Sequence, residues 1–180
     1  MGTAVELNLF LSGVEKRAYA MAMVTVKNPQ DALDIVQDVM LTLARKYAGK
    51  PHDQWPPLFY RILRNRITDF HRSSNIRRRL FGWLGPSLDG SEVDPLELAI
   101  GPDKDTPEHR LRMHGAGVGI STALARLPAR QQQAFMLRAW EGMDVKTTAS
   151  AMGCSTGSVK THYSRAVHAL REELQEFQDD

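Results

Sequence analysis

Apolar positions in this chain recur at steps of three and four over most of its length, and no segment alternates convincingly at a step of two. That pattern predicts an all-α protein. A first helix is expected over about Val5 to Val26, closed by Asn28-Pro29, a pair that turns the chain. A second, about Gln30 to Lys46, places Leu33, Val36, Met40 and Leu43 on its inner face. Tyr47 to Pro57 contains one glycine, three prolines and Trp55, which predicts an irregular loop. A third helix, about Leu58 to Ser73, is expected to pack Phe59, Ile62, Ile67 and Phe70. From Leu80 to Asp105 the periodicity lapses into four glycines and three prolines. This predicts a tether holding at most a short helix at Pro95 to Ala99. Thr106-Pro107-Glu108 then offers an N-cap, a first-turn proline and an acid suited to the helix dipole. Helices are expected to follow at about 107–126, 129–141, 144–152 and 156–176, with Pro128 and Gly142 at boundaries. Gly115, Gly117 and Gly119 crowd the first of these and predict a bend or hinge.

The last two helices form a helix-turn-helix. Asp144 to Gly153 makes a short helix ending in glycine, Cys154-Ser155 the turn, and a second helix runs on from Thr156. On that helix Val159, Tyr163, Ala166, Val167, Leu170 and Leu174 form one apolar stripe. The opposite side carries Ser158, Lys160, Thr161, His162 and Arg165, short or basic side chains suited to phosphates and base edges. Such a helix can be seated on one side and inserted into a DNA groove on the other.

Charge extends the picture beyond this module. The net charge is only +2, yet residues 61–79 hold seven arginines against one acid. Residues 80–113 carry seven acids against three bases, and residues 123–171 seven bases against two acids. Two cationic blocks flanking an acidic segment suggest two surfaces for one polyanion, joined by a flexible linker that stays off it. The expected domains are 1–79 and 114–180, with 80–113 as linker. On the second helix Asp34, Asp38 and Leu41 share a face across from the Leu33, Val36 and Met40 stripe.

Other chemistry is poorly provided for. The single cysteine, Cys154, excludes an intramolecular disulfide framework and a multi-cysteine metal site; it is expected as a small buried turn residue. No two of the six histidines have metal-ligand spacing with supporting ligands. No phosphate loop or nucleophile elbow is present. Neither a signal peptide nor a run of apolar residues long enough to span a bilayer is found. The expectation is a cytoplasmic, non-enzymatic protein without metal or cofactor and without membrane insertion.

Two blocks of residues carry a resemblance. One comprises Asn28-Pro29-Gln30-Asp31-Ala32-Leu33-Asp34-Ile35-Val36-Gln37-Asp38 and Leu58-Phe59-Tyr60-Arg61-Ile62-Leu63-Arg64-Asn65-Arg66-Ile67-Thr68-Asp69-Phe70. The other comprises Ala125-Arg126-Leu127-Pro128-Ala129-Arg130-Gln131 and Gly153-Cys154-Ser155-Thr156-Gly157-Ser158-Val159-Lys160-Thr161. In this order and separation they resemble the extracytoplasmic-function (ECF) sigma factors of the sigma-70 family, small two-domain promoter-specificity subunits of bacterial RNA polymerase. The resemblance implies a region 2-like bundle and a region 4-like helix-turn-helix, covering about residues 10–79 and 115–175.

The resemblance also assigns roles. Asp34, Gln37, Asp38 and Leu41 would grip the clamp region of the polymerase β′ subunit, and the physics agrees, since a carboxylate row with an exposed leucine suits a basic partner. The third helix and its basic extension would recognise and open the −10 promoter element. Arg61, Arg64, Arg72, Arg77, Arg78 and Arg79 would hold phosphates, and Asn65 and Asp69, one turn apart, would meet exposed base edges. Trp55 would floor a pocket for an unstacked base, although a tryptophan so placed is more often a core anchor. The −35 element would fall to Ser155, Thr156, Ser158, Lys160, Thr161, His162 and Arg165, with Arg138 and Lys146 on flanking backbone. The linker would thread the polymerase near its RNA exit path, and an anti-sigma partner would cover one or both modules. Departures exist: members commonly have tryptophan at Leu58, a large aliphatic at Thr148 and arginine at His162. Thr148 is expected half-buried, bonded back to a helix carbonyl. A sigma-like decoy that binds an anti-sigma protein without touching DNA should have lost its basic residues and usually carries a receiver domain, whereas this chain keeps the former and lacks the latter. An ordinary dimeric repressor using only the C-terminal helices leaves the upstream arginines and the carboxylate row unexplained.

Overall fold

The computed structural model describes residues 3–81 and 119–176, with side chains described for 3–73 and 119–175. All regular structure among them is helical. The chain divides into two compact units, Met1–Glu92 and Val93–Asp180.

In the first unit α1 spans Ala4–Val26. Thr3 and Glu6 start it as a capping box, in which the Glu6 amide donates to Thr3 Oγ1 at 3.2 Å and the Thr3 amide to Glu6 Oε2 at 2.6 Å. The Thr3 amide, and the Thr3 hydroxyl donating to the same oxygen at 3.0 Å, hold the Glu6 carboxyl below its ordinary value. Lys27 ends α1 in the left-handed region (φ 59°), its amide donating to the Met23 carbonyl at 2.9 Å. Asn28 then caps α2, Pro29–Tyr47, by accepting from the Asp31 amide at 2.9 Å, and Pro29 occupies the first turn. The tight connection brings α2 against α1 at once. There the methyl of Ala32 is buried while Leu33 stays 38% exposed. The inward stripe is therefore Ala32, Ile35, Val36, Val39 and Leu43. The expected inner position of Leu33 is corrected by the closeness of approach, which favours the smaller side chain.

The predicted loop 47–57 is largely helical. His52–Gln54 forms a 3-10 turn and α3 runs Trp55–Phe81, starting earlier and ending later than Leu58 to Ser73. Pro56 and Pro57 lie in the first turn of α3, where amide donors lack intrahelical partners anyway, so they begin a helix without breaking it. Trp55, Phe59, Tyr60 and Leu63 are buried. Phe10 brings α1 onto this cluster, with ring centroids 5.9 Å from both Trp55 and Phe59.

In the second unit a helical stretch over 119–126, α4, leads through Leu127 and Pro128 into α5, Ala129–Phe135. Five residues, Met136–Trp140, then widen into a π-helical turn. Helix α6 is Val145–Met152 and α7 is Thr156–Glu176. Ala123, Leu124, Leu127, Ala134, Met136, Leu137, Met152, Val159, Ala166 and Leu170 make the core. Buried Gln132 donates to the Leu124 carbonyl at 2.8 Å, tying α5 to α4. The expected tether, the Thr106 cap, the helix start near 107 and Gly115 and Gly117 lie outside the described residues.

Candidate nucleic-acid interface

The turn between α6 and α7 is built from local chemistry. Asp144 caps α6, its Oδ1 accepting from the Thr147 amide at 2.6 Å, and this bond holds the Asp144 carboxyl below its ordinary value. Gly153 ends α6 at φ 62°, a conformation open to glycine at no steric cost. Its amide and that of Cys154 both donate to the Ala149 carbonyl. Ser155 then caps α7, its Oγ accepting from the Ser158 amide at 3.1 Å. Arg130 on α5 donates to the Met152 carbonyl at 2.7 Å, setting a cation at the C-terminal end of α6. Cys154 is half-buried and not fully enclosed as expected, because the turn runs along the surface of the unit. Thr148 is fully buried, deeper than expected, and its Oγ1 donates to the Asp144 carbonyl at 2.7 Å.

Helix α7 separates its two faces as the sequence suggests. Val159, Ala166 and Leu170 are buried, with Tyr163, Val167 and Leu174 half-buried. Thr156, Lys160, Thr161 and Arg165 are exposed, Ser158 and His162 half-buried, and Lys146 on α6 exposed. Thr161 Oγ1 donates to the Gly157 carbonyl at 3.1 Å, and the Ser155 and Ser158 hydroxyls lie 2.9 Å apart. Arg138 is turned onto its own unit. Its guanidinium donates to the Met143 carbonyl and lies 5.8 Å from the ring centre of Tyr163.

In the first unit Arg61, Asn65, Asp69 and Arg72 are exposed along α3, and Arg64 is half-buried. Arg64 donates through Nε and a terminal nitrogen to Asn65 Oδ1, at 3.2 and 2.9 Å. Arg77, Arg78 and Arg79 continue α3, but their side chains lie outside the described residues. Trp55 is completely buried, and its indole N–H donates to the Tyr47 carbonyl at 3.1 Å. Its faces are occupied by neighbours, so the reading of Trp55 as a floor for an unstacked base is corrected in favour of a core anchor.

The carboxylate row on α2 is exposed, and Leu41 with it at 50%. Two features escaped the sequence. Leu33 joins the same outward face, so that two leucines two turns apart flank Asp34, Gln37 and Asp38. Arg66, half-buried on α3, reaches Asp38 at 3.0 Å. The i, i+4, i+8 spacing of 33, 37 and 41 could have revealed the first; no local spacing encodes the second. Among the described residues no cluster of His, Cys, Asp or Glu could hold a metal ion, and no helix is long and apolar enough to cross a membrane.

Comparison with known proteins agrees with this arrangement. Residues 11–77 match the family model of Sigma-70 region 2, and residues 118–170 that of Sigma-70 region 4. The chain is 30% identical over 175 residues to the RNA polymerase sigma-E factor of Streptomyces coelicolor, an alignment spanning 97% of this chain and 89% of that protein. It is 27% identical over 146 residues to the ECF RNA polymerase sigma factor SigD of Mycobacterium tuberculosis, spanning 78% and 62%. Among solved structures, the sigma factor RpoE of Bartonella quintana, co-crystallised with the anti-sigma factor NepR, matches with a TM-score of 0.62 at 26% identity over 94% of each chain. CnrH, in complex with the cytosolic domain of CnrY, shares the fold with a TM-score of 0.61 at 18% identity, over 97% of this chain and 91% of that one. The chain belongs to the sigma-70 family of RNA polymerase sigma factors, in its extracytoplasmic-function group. It is a transcription initiation factor that works with core RNA polymerase to direct promoter-specific initiation.

Proposed function

We propose that the two units divide the work of promoter recognition and that core polymerase imposes their working geometry. Helix α7 and its cap would enter the −35 major groove, with Lys160 and Arg165 on phosphates or base edges and Thr156, Thr161 and His162 beside them. Lys146 would reach flanking backbone. Helix α3 would take the −10 element, with Arg61, Arg64, Arg72 and Arg77 to Arg79 on phosphates and Asn65 and Asp69 on base edges. Since the Asn65 carbonyl already accepts from Arg64, its base contact would be made by the Nδ2 donors. Leu33, Asp34, Gln37, Asp38 and Leu41 would dock on the clamp of the β′ subunit. Residues 80–113 would link domains 1–79 and 114–180. The anti-sigma factor NepR, co-crystallised with the matched RpoE, supports an anti-sigma partner for this chain.

The observation that carries this reading is the division of α7 into a buried apolar stripe and an exposed basic face directly after a capped turn. Two modules held at a matched span gain affinity through effective concentration, and a free, varying span gives less of it. The free chain is therefore expected to bind promoter duplex weakly, and the holoenzyme tightly. A salt titration of promoter binding with and without core polymerase tests this. Tight, sequence-specific binding by the free chain at physiological salt would overturn it.

A further inference from the structure

We propose that Arg138 is a positioning residue for promoter recognition, fixing the recognition helix from behind without touching DNA; this rests on the reading of α7 as the −35 helix. Arg138 lies in the π-helical turn Met136–Trp140, where the Glu141 amide bonds to the Met136 carbonyl at 3.2 Å, one residue further than in an α-helix. The Met143 amide bonds to the Leu137 carbonyl at 3.0 Å, so the chain closes tightly over this turn. The turn closes the helix at its C-terminal end, where such turns are a common way to finish, and Gly142 follows in the left-handed region at φ 62°. Here the wider turn coincides with one side chain joining three parts of the unit.

The guanidinium of Arg138 satisfies the Met143 carbonyl, in the connection immediately before the Asp144 cap of α6. It also lies over the ring of Tyr163, which belongs to α7, at 5.8 Å from the centroid. Phe135 stacks on that same ring, centroids 6.1 Å apart and planes 18° from parallel. Tyr163 sits between His162 and Arg165 and one turn beyond Val159. Its ring therefore sets the rotation and axial position of the segment carrying Lys160, His162 and Arg165. A planar, forked cation can bond a carbonyl and cover an aromatic face together, whereas an ammonium on a flexible stem does one or the other. Arg138 is half-buried, in keeping with a cation turned toward its own fold.

The test uses holoenzyme and a promoter duplex recovered by selection from random DNA, below the melting point of every variant. Arg138→Ala is expected to weaken −35 binding about tenfold, to narrow the ratio between selected and scrambled −35 sequences, and to leave the salt slope unchanged. Arg138→Lys is expected to behave like Arg138→Ala. Tyr163→Leu should reproduce the loss without adding to it. A slope reduced by about one unit, equal loss on both sequences and restoration by lysine would instead make Arg138 a phosphate contact. Unchanged affinity would also overturn the proposal, because a residue serving only overall stability is silent once every variant is folded. If Lys160→Ala and Arg165→Ala leave −35 binding intact, the −35 reading itself has failed. Amide exchange of α7 in the free chain then decides the positioning claim. Faster exchange at 158–165 in Arg138→Ala upholds it, and unchanged exchange refutes it.

Discussion

Thr148 places a hydroxyl where packing calls for a methyl. It is fully buried, and its Oγ1 and its own amide both bond to the Asp144 carbonyl, at 2.7 and 3.0 Å. Removing the hydroxyl strands no partner, because the carbonyl keeps the amide. Thr148→Val is therefore expected to raise the thermal midpoint, by a stabilisation of about 1 kcal/mol at most; a loss of that size would show that the hydroxyl matters more than its geometry suggests. Asp144 makes a prediction about pH. Its folded-state carboxyl lies below the ordinary value of 3.8 because the Thr147 amide bonds to the charged form. The cap's contribution is thus present above that ordinary value and is lost as pH falls through the folded-state value. Asp144→Asn keeps an acceptor that does not titrate, and should flatten the acid limb of the chain's unfolding profile followed by circular dichroism. An unaltered limb would place the acid sensitivity elsewhere. At this scale the glycine at 153 and the back-bonded threonine were legible in the sequence, since each bonds within four residues. Trp55 was not decidable there, because burial depends on Phe10, forty-five positions away.

Helices show the same boundary between local and distant causes. Helix α7 matched its stripe because the 3.6-residue period alone sorts its faces. Helix α3 was misplaced at its start because three prolines within 51–57 read as a loop, whereas two of them fall in a first turn that tolerates proline. Helix α2 was out of phase at Leu33 because the approach of α1 is decided by a two-residue turn. That correction matters to function, since it adds a second leucine to the face carrying Asp34 and Asp38. Asp38 also holds Arg66 at 3.0 Å, with both side chains about half exposed, a pair too wet to contribute much to stability. Asp38→Arg is expected to abolish co-purification with core polymerase by charge reversal while leaving the fold intact. Normal co-purification of that variant would remove Asp38 from the docking face.

The whole chain carries a net charge of only +2, yet 14 of its 23 lysines and arginines fall in residues 61–79 and 123–171, one block on each unit. The division into two units was legible because that segregation is compositional. Arg165→Ala in the holoenzyme should reduce the slope of log affinity against log salt by about one unit, the share of one phosphate contact; an unchanged slope would place Arg165 away from the backbone. The claim on which the rest depends is that both cationic helical surfaces act together within the polymerase to choose where transcription begins. Run-off transcription with core polymerase and a selected promoter measures this directly, comparing the native chain with one carrying Arg61→Ala, Arg64→Ala, Lys160→Ala and Arg165→Ala. The account predicts discrete transcripts from one start with the native chain and none with the variant. Transcripts of equal yield from the same start with the variant would contradict it.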